Sequence, residues 1–284
     1  MHIAKVGIVG SGIMGTGIAE VAILSGFEVV LRSRREGSAL ATRAAIEKSV
    51  DRRVERGKLT ADDRDAALTR LVTTSALHDL AGCDLVIEAV VEDLATKREL
   101  FGELDHVCGD DAVIATNTST FSVTELAVQT RRPEQVCGLH FFNPAPVMRL
   151  VEVARPLTAA DRTIDAATDF VRACGKDPVV VTDSTGFIVN ALLFGYFGDA
   201  IRLHERGTAS IADIDTAMQG GCNFPMGPFA LLDLIGLDTA AAVFDALYAE
   251  HREPRLACPP VLRRMVSAGM LGRKTGQGFY DHRR

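Results

Sequence analysis

Short apolar runs alternate with longer stretches of helical spacing through the first two thirds of the chain. Val6-Gly7-Ile8-Val9, Phe27 to Leu31, Leu71-Val72-Thr73, Leu85-Val86-Ile87, Ala112-Val113-Ile114 and Val136 to Leu139 each read as a strand. Leu150 to Val153 and Pro178 to Val181 complete the set. Between them, residues 13–25 are small and helix-compatible, and a charged segment over about residues 36–66 has helical spacing. Strand, helix, strand in repetition predicts a parallel sheet covered on both faces. After about Thr185 the pattern changes. Residues 187–206, 210–219, 228–250 and 259–269 read as helices with no strand between them. Ser210-Ile211-Ala212-Asp213 resembles a capping box, and Pro225-Met226-Gly227-Pro228 interrupts the helices with a fixed turn. The expectation is a doubly wound α/β domain over 1–185 and an all-helical domain over 186–284, with no internal repeat.

The first strand runs directly into Gly10-Ser11-Gly12-Ile13-Met14-Gly15, which fits G-x-G-x-x-G. In a strand-loop-helix context the first glycine permits a tight turn, the second lets the backbone approach a pyrophosphate, and the third allows close packing of helix on strand. The helix N-terminus then offers N–H groups and a positive dipole to phosphate. This predicts a Rossmann-type, dinucleotide-binding first domain. The bland alternative is a glycine turn used only for packing.

Polar residues gather after the later strands. Asn117-Thr118-Ser119-Thr120 follows the run ending at Ala115, on the side where an open α/β sheet binds ligands. A plain helix cap near Val123 is the competing reading, with Ser122 the nearer candidate. His140 ends another strand, followed by Phe141, Phe142 and the turn-forming Asn143-Pro144. Twelve residues on, Glu152 lies inside Leu150-Val151-Glu152-Val153, where an unpaired carboxylate would be expensive to bury. That spacing suits two neighbouring strands. A His140–Glu152 pair would hold one imidazole tautomer and offset the charge the ring gains on taking a proton, as a general base requires. A satisfied core histidine is the alternative.

Composition narrows the picture. The chain has 284 residues, 47% hydrophobic and 24% charged, enough to bury a sizeable core without staples. A formal net charge of −6 argues against general affinity for nucleic acid or anionic membrane. Six scattered cysteines form no C-x-x-C pair and show no zinc-ligand spacing, so no metal is expected and the thiols read as reduced and cytosolic. Without an apolar signal region or a long apolar run, the expectation is a cytoplasmic protein with no membrane span.

Taken together, these residues resemble the 3-hydroxyacyl-CoA dehydrogenase family, especially its stand-alone bacterial 3-hydroxybutyryl-CoA members. The resemblance runs through residues 10–15, Val86-Ile87-Glu88-Ala89-Val90-Val91-Glu92, Asn117-Thr118-Ser119, Gly138 to Pro144 and Leu150-Val151-Glu152. It continues through Gly186-Phe187-Ile188-Val189-Asn190, Pro225 to Pro228 and Gly272 to Tyr280. It implies that His140 takes the 3-hydroxyl proton, Glu152 orients it, Ser119 binds the substrate oxygen and Asn190 helps hold the substrate. It also implies that Glu92, Lys97 and Asn117 contact the cofactor, that the substrate is a short-chain acyl-CoA thioester, and that the second domain forms a homodimer. A relative acting on a carrier-protein-bound hydroxyacyl group is the first alternative; a member that only binds a dinucleotide is the second. The sequence departs from the family at Thr120, at Phe224 and at Ser33, where an aspartate is usual.

Two recognition features are left open by the resemblance. Lys48, Arg52 and Arg56, spaced i, i+4, i+8, share a helix face that could bind coenzyme A phosphates, or be a solvated face bridged to Glu47, Asp51 and Glu55. Ser33, eighteen residues after Gly15, stands where an NAD-specific loop places its acid. With Arg34 and Arg35 following, the loop favours NADP(H) over NAD(H), against the alternative that Glu36 reaches back to the ribose.

Overall fold

All eight apolar runs are strands in the computed structural model, which describes residues 2–283. They are β1 (Lys5–Val9), β2 (Glu28–Arg32), β3 (Leu71–Thr74), β4 (Leu85–Glu88), β5 (Val113–Thr116), β6 (Val136–Phe141), β7 (Leu150–Arg155) and β8 (Asp177–Thr182). One sheet contains them in the order β3-β2-β1-β4-β5-β6-β7-β8. The first six run parallel. The chain winds outward from β1 to β3, then restarts beside β1 at β4, so the order reverses between β1 and β4. The loops beyond their carboxyl ends form the crevice where such sheets bind ligands.

The sheet is not parallel throughout. β7 runs antiparallel to β6, because residues 142–149 between them are too few for a crossover helix. β8 then pairs parallel with β7 through α6 (Asp161–Ala173). The other helices of this part are α1 (Ile13–Leu24), α2 (Glu36–Glu55), α3 (Ala61–Thr69), α4 (Leu94–Val107) and α5 (Val123–Ala127). The segment 36–66 is therefore two helices rather than one. Gly57, at φ +65°, ends the first, and Thr60 caps the second by accepting from the Asp63 N–H.

Two compact units result, Met1–Asp183 and Ser184–Arg284. In the first, Ile8, Leu31, Ile87, Val113 and Leu139 are fully buried in the sheet, and Ile18 and Phe170 pack on it from the helices. The second holds α7 (Val189–Glu205), α8 (Ile211–Cys222), α9 (Pro228–Ile235), α10 (Leu237–His251) and α11 (Pro260–Ser267). Gly236, at φ +100°, divides α9 from α10 within the stretch that reads as a single helix. Phe194, Phe229 and Phe244 centre this core. Two buried carboxylates tie it together. Asp215 accepts from the Phe229 and Ala230 N–H groups at the start of α9 and from the Tyr280 hydroxyl at 2.8 Å. Asp233 accepts from the Phe279 and Tyr280 N–H groups, both at 2.9 Å, and pairs with His282 at 2.8 Å. A Cβ on Gly278 would lie 2.0 Å from Asp233 Oδ1, so the terminal Gly-Phe-Tyr segment is built to strap onto this carboxylate. Among the described residues, no helix is long and apolar enough to cross a membrane.

Candidate active site

The glycine loop lies at the reversal point. Gly10 has φ +125°, and a Cβ there would meet Ala89 O at 2.3 Å, so the loops after β1 and β4 touch. A Cβ on Gly15 would sit 1.9 Å from Gly10 O, which closes the turn on itself. Around Gly12 there is nothing within 4 Å, so of these three glycines it is the one whose missing side chain leaves open space. The N–H groups of Ile13, Met14 and Gly15 precede the first intrahelical bond, Thr16 N–H to Gly12 O at 2.9 Å. Ile13 is exposed and Met14 packs on the core. An open backbone face at a helix N-terminus fits the pyrophosphate of a dinucleotide. Beside it, Ser11 and Thr16 face Ser38, Ala41, Thr42 and Ala45 of α2 across a cleft of about 320 Å³.

His140 and Glu152 are register partners across the antiparallel β6–β7 pair, which the twelve-residue spacing suggested. Nδ1 of His140 lies 2.7 Å from Glu152 Oε2, with 4% and 1% of the two residues exposed. On the other edge of the ring, Nε2 lies 3.1 Å from Ser119 Oγ. The carboxylate accepts from Nδ1–H, so the lone pair is on Nε2, toward Ser119. The Phe142 ring tilts against the imidazole at 4.4 Å between centroids and excludes water from that side. Ser119 is not a helix cap: Ser122 caps α5, accepting from the Glu125 N–H.

The loop that carries Ser119 is set by a charge network. Glu92 Oε1 accepts from the Ser119 N–H at 3.0 Å, from the Thr118 hydroxyl and from the Thr120 hydroxyl. Lys97 donates to both oxygens of Glu88, at 2.7 and 2.8 Å, and lies 3.2 Å from Glu92. Thr116 on β5 donates to the same Glu88 at 2.7 Å. Asn117 Oδ1 accepts from the Phe141 N–H at 2.9 Å and ties β5 to β6 beside the histidine.

Two of the expected cofactor residues are buried. Lys97, expected at the cofactor, is fully buried between Glu88 and Glu92. Ser33, expected to offer its hydroxyl to a phosphate, is 1% exposed, and its Oγ is buried with no partner among the described residues. Arg34 and Arg35 are exposed. Lys48, Arg52 and Arg56 are also exposed and make no ion pair among the described residues; Glu47 pairs with Arg43 and Asp51 with Arg64, each at 2.9 Å. Asn190 stands half-buried in the first turn of α7, in the second unit. Sequence reasoning did not single out Glu88 as a site residue. Its signal was a carboxylate closing a buried strand, with a lysine nine residues later.

Residues 5–184 match the family described as 3-hydroxyacyl-CoA dehydrogenase, NAD binding domain, and residues 186–282 match that family's C-terminal domain. The chain belongs to the 3-hydroxyacyl-CoA dehydrogenase family. It is 48% identical over 285 residues to a 3-hydroxybutyryl-CoA dehydrogenase of Mycobacterium tuberculosis, covering 99% of both chains. Over 289 residues it is 43% identical to the human mitochondrial hydroxyacyl-coenzyme A dehydrogenase, covering 99% of this chain and 92% of that one. The crystal structure of (S)-3-hydroxybutyryl-CoA dehydrogenase from Ralstonia eutropha superposes with a TM-score of 0.97 at 41% identity, covering all of both chains. The Ser119–His140–Glu152 chain stands on the β5, β6 and β7 ends of the first unit.

Proposed function

We propose that the protein interconverts 3-hydroxyacyl and 3-oxoacyl thioesters of coenzyme A, short-chain ones first, with a nicotinamide dinucleotide as partner. The observation that carries the reading is the Ser119–His140–Glu152 chain, at 3.1 and 2.7 Å, beside an open glycine loop. His140 Nε2 accepts the proton of the 3-hydroxyl, and Glu152 offsets the charge that then forms on the ring. The Ser119 hydroxyl hydrogen-bonds the same substrate oxygen and strengthens its grip as charge develops there. Gly10, Gly12, Ile13, Met14 and Gly15 hold the pyrophosphate, while Asn117 and Glu92 face the nicotinamide side. When bound, the dinucleotide supplies the hydride acceptor for oxidation or the donor for reduction. Asn190, in the first turn of α7, is read as a further substrate-binding residue.

The coenzyme A reading draws on α2. Ala41 and Ala45 line the cleft beside the glycine loop, and the same stripe continues through Lys48, Arg52 and Arg56. Small residues followed by unpaired cations suit an adenosine end whose phosphates lie at the basic part. For the dinucleotide we favour NADP(H). No carboxylate stands at Ser33, and the exposed Arg34 and Arg35 follow it, ahead of Glu36 in the first turn of α2. We place the enzyme in the cytoplasm, on its six free thiols, and read it as a homodimer through the second unit, where Leu192 and Leu234 are 71% and 50% exposed.

Initial rates with acetoacetyl-CoA, longer 3-oxoacyl-CoA thioesters and their carrier-protein-linked forms, each with NADH and NADPH, test these points together. Tight dinucleotide binding with no turnover of any thioester would remove the enzyme reading. Preference for carrier-linked substrates would remove coenzyme A, and clear preference for NADH would remove NADP(H). Light scattering that returns a monomer at micromolar concentration would remove the homodimer.

A further inference from the structure

Residues 142–149, between β6 and β7, begin two positions past His140 and lead back into the strand that bears Glu152. Because β6 runs parallel to β1, this connection lies at the same end of the sheet as the glycine loop. A buried cation holds it. Lys176, between α6 and β8, is 9% exposed, and its ammonium donates to Ala145 O at 2.7 Å and Met148 O at 2.8 Å. Among the described residues it has no carboxylate partner, since the adjacent Asp177 is bound at both oxygens by Arg149, at 2.8 and 2.9 Å. Burying an ammonium against carbonyls alone is costly, and burial pulls the Lys176 pKa below the ordinary lysine range. An apolar side chain of similar length would fill the space without that cost. What lysine adds is two donors aimed at two carbonyls of one loop.

The opposite side of the loop is also fixed. A Cβ on Gly17 of α1 would meet Ala145 Cβ and Pro146 Cδ, each at 3.2 Å, so the loop rests on the helix that opens the glycine site. Between these two supports, the Val147 and Met148 N–H groups both turn back to Pro144 O, at 2.9 and 3.0 Å. The two residues are left 70% and 41% exposed. Two adjacent exposed apolar residues on a loop held from both sides suit an apolar ligand.

We infer that Lys176 is a positioning residue that locks loop 142–149, keeping His140 and Phe142 in place and presenting Val147 and Met148 as an apolar edge for the substrate's acyl chain. The inference rests on the thioester reading above. Displacement of a reacting group by about 1 Å costs on the order of 10²-fold in rate. Lys176→Met keeps the stem and removes the donors. It should lower kcat/KM for acetoacetyl-CoA by roughly 10- to 100-fold, through both kcat and KM. The dinucleotide Kd, read by nicotinamide fluorescence, should stay within about threefold, and Lys176→Arg should recover most of the lost activity. The double variant Val147→Ser, Met148→Ser should raise KM more for an eight-carbon thioester than for the four-carbon one. A Lys176→Met enzyme within threefold of the parent overturns the proposal, as does one that loses dinucleotide binding in step with turnover. If that variant does not fold, the serine pair decides, and an unchanged KM at every chain length overturns it. A parent inactive on all thioesters sinks the thioester reading and this inference with it; an active parent with indifferent variants sinks this inference alone.

Discussion

His140 can be used from one ring edge because the other is committed to Glu152, a carboxylate only 1% exposed. His140→Gln should lower kcat by ~10²–10⁴-fold while the dinucleotide Kd stays within a few-fold; turnover within threefold of the parent would end the assignment. Glu152→Gln keeps an acceptor for Nδ1–H but loses the charge, so steady-state rates should show a smaller fall in kcat. Ser33 poses a different question, since its hydroxyl is buried and unpartnered. Ser33→Asp should shift kcat/KM from NADPH toward NADH. A carboxylate enclosed there without a partner costs about 1–3 kcal/mol or more. The variant's Tm should therefore drop without ligand and recover more with NADH than with NADPH.

At the scale of elements, the coenzyme A contacts proposed above fall on one exposed stripe of α2. Charge reversal at Arg52 and Arg56 should raise KM for a coenzyme A thioester and leave KM for a truncated thioester unchanged; equal effects on both would refute phosphate binding on this helix. The end of α4 shows an ionic contact with a defined pH signature. Burial pushes the Asp105 carboxyl up, but hydrogen bonds and charge from Arg131 and Arg132 more than offset it and hold it below the usual carboxylate range. The folded value lies below the unfolded one, so this stabilisation is present above about pH 4 and is lost as pH falls through the folded value. An acid-unfolding curve of Asp105→Asn should lack that part of the parent's acid limb. Helix ends were the least legible elements in the sequence. Gly57 and Gly236 divide segments whose spacing reads as continuous, because one left-handed glycine ends a helix without disturbing the apolar pattern around it.

For the whole molecule, two separate cores explain why strand patterning stops at the unit boundary near Asp183. Each unit buries its own apolar set. The thiols follow this packing. Burial raises Cys83, Cys137 and Cys174 to about 12 and Cys108 and Cys258 to about 11, while Cys222 is exposed. Titration of the native protein with a thiol reagent near pH 8 should give one fast equivalent, with the rest appearing only on unfolding. Several fast thiols would mean the cores open more readily than this packing allows.

Strand order came only with the fold, but the strands of the first unit, the glycine loop and the pairing of His140 with Glu152 were legible in the chain. Each is encoded by neighbouring residues or by a spacing that two adjacent strands convert directly into contact. The reversed direction of β7 was equally present in the shortness of residues 142–149, but the apolar run that marks a strand does not record its direction. Other features depended on folding. The Glu88–Lys97 pair, the burial of Ser33 and the clamp from Lys176 to Ala145 and Met148 join side chains to partners on other elements. A lysine in a sequence looks the same whether it is solvated, paired with a carboxylate or buried against carbonyls. Only the packing around it decides which groups lie within 3 Å of its nitrogen, and so whether it meets a ligand or holds the loop that does.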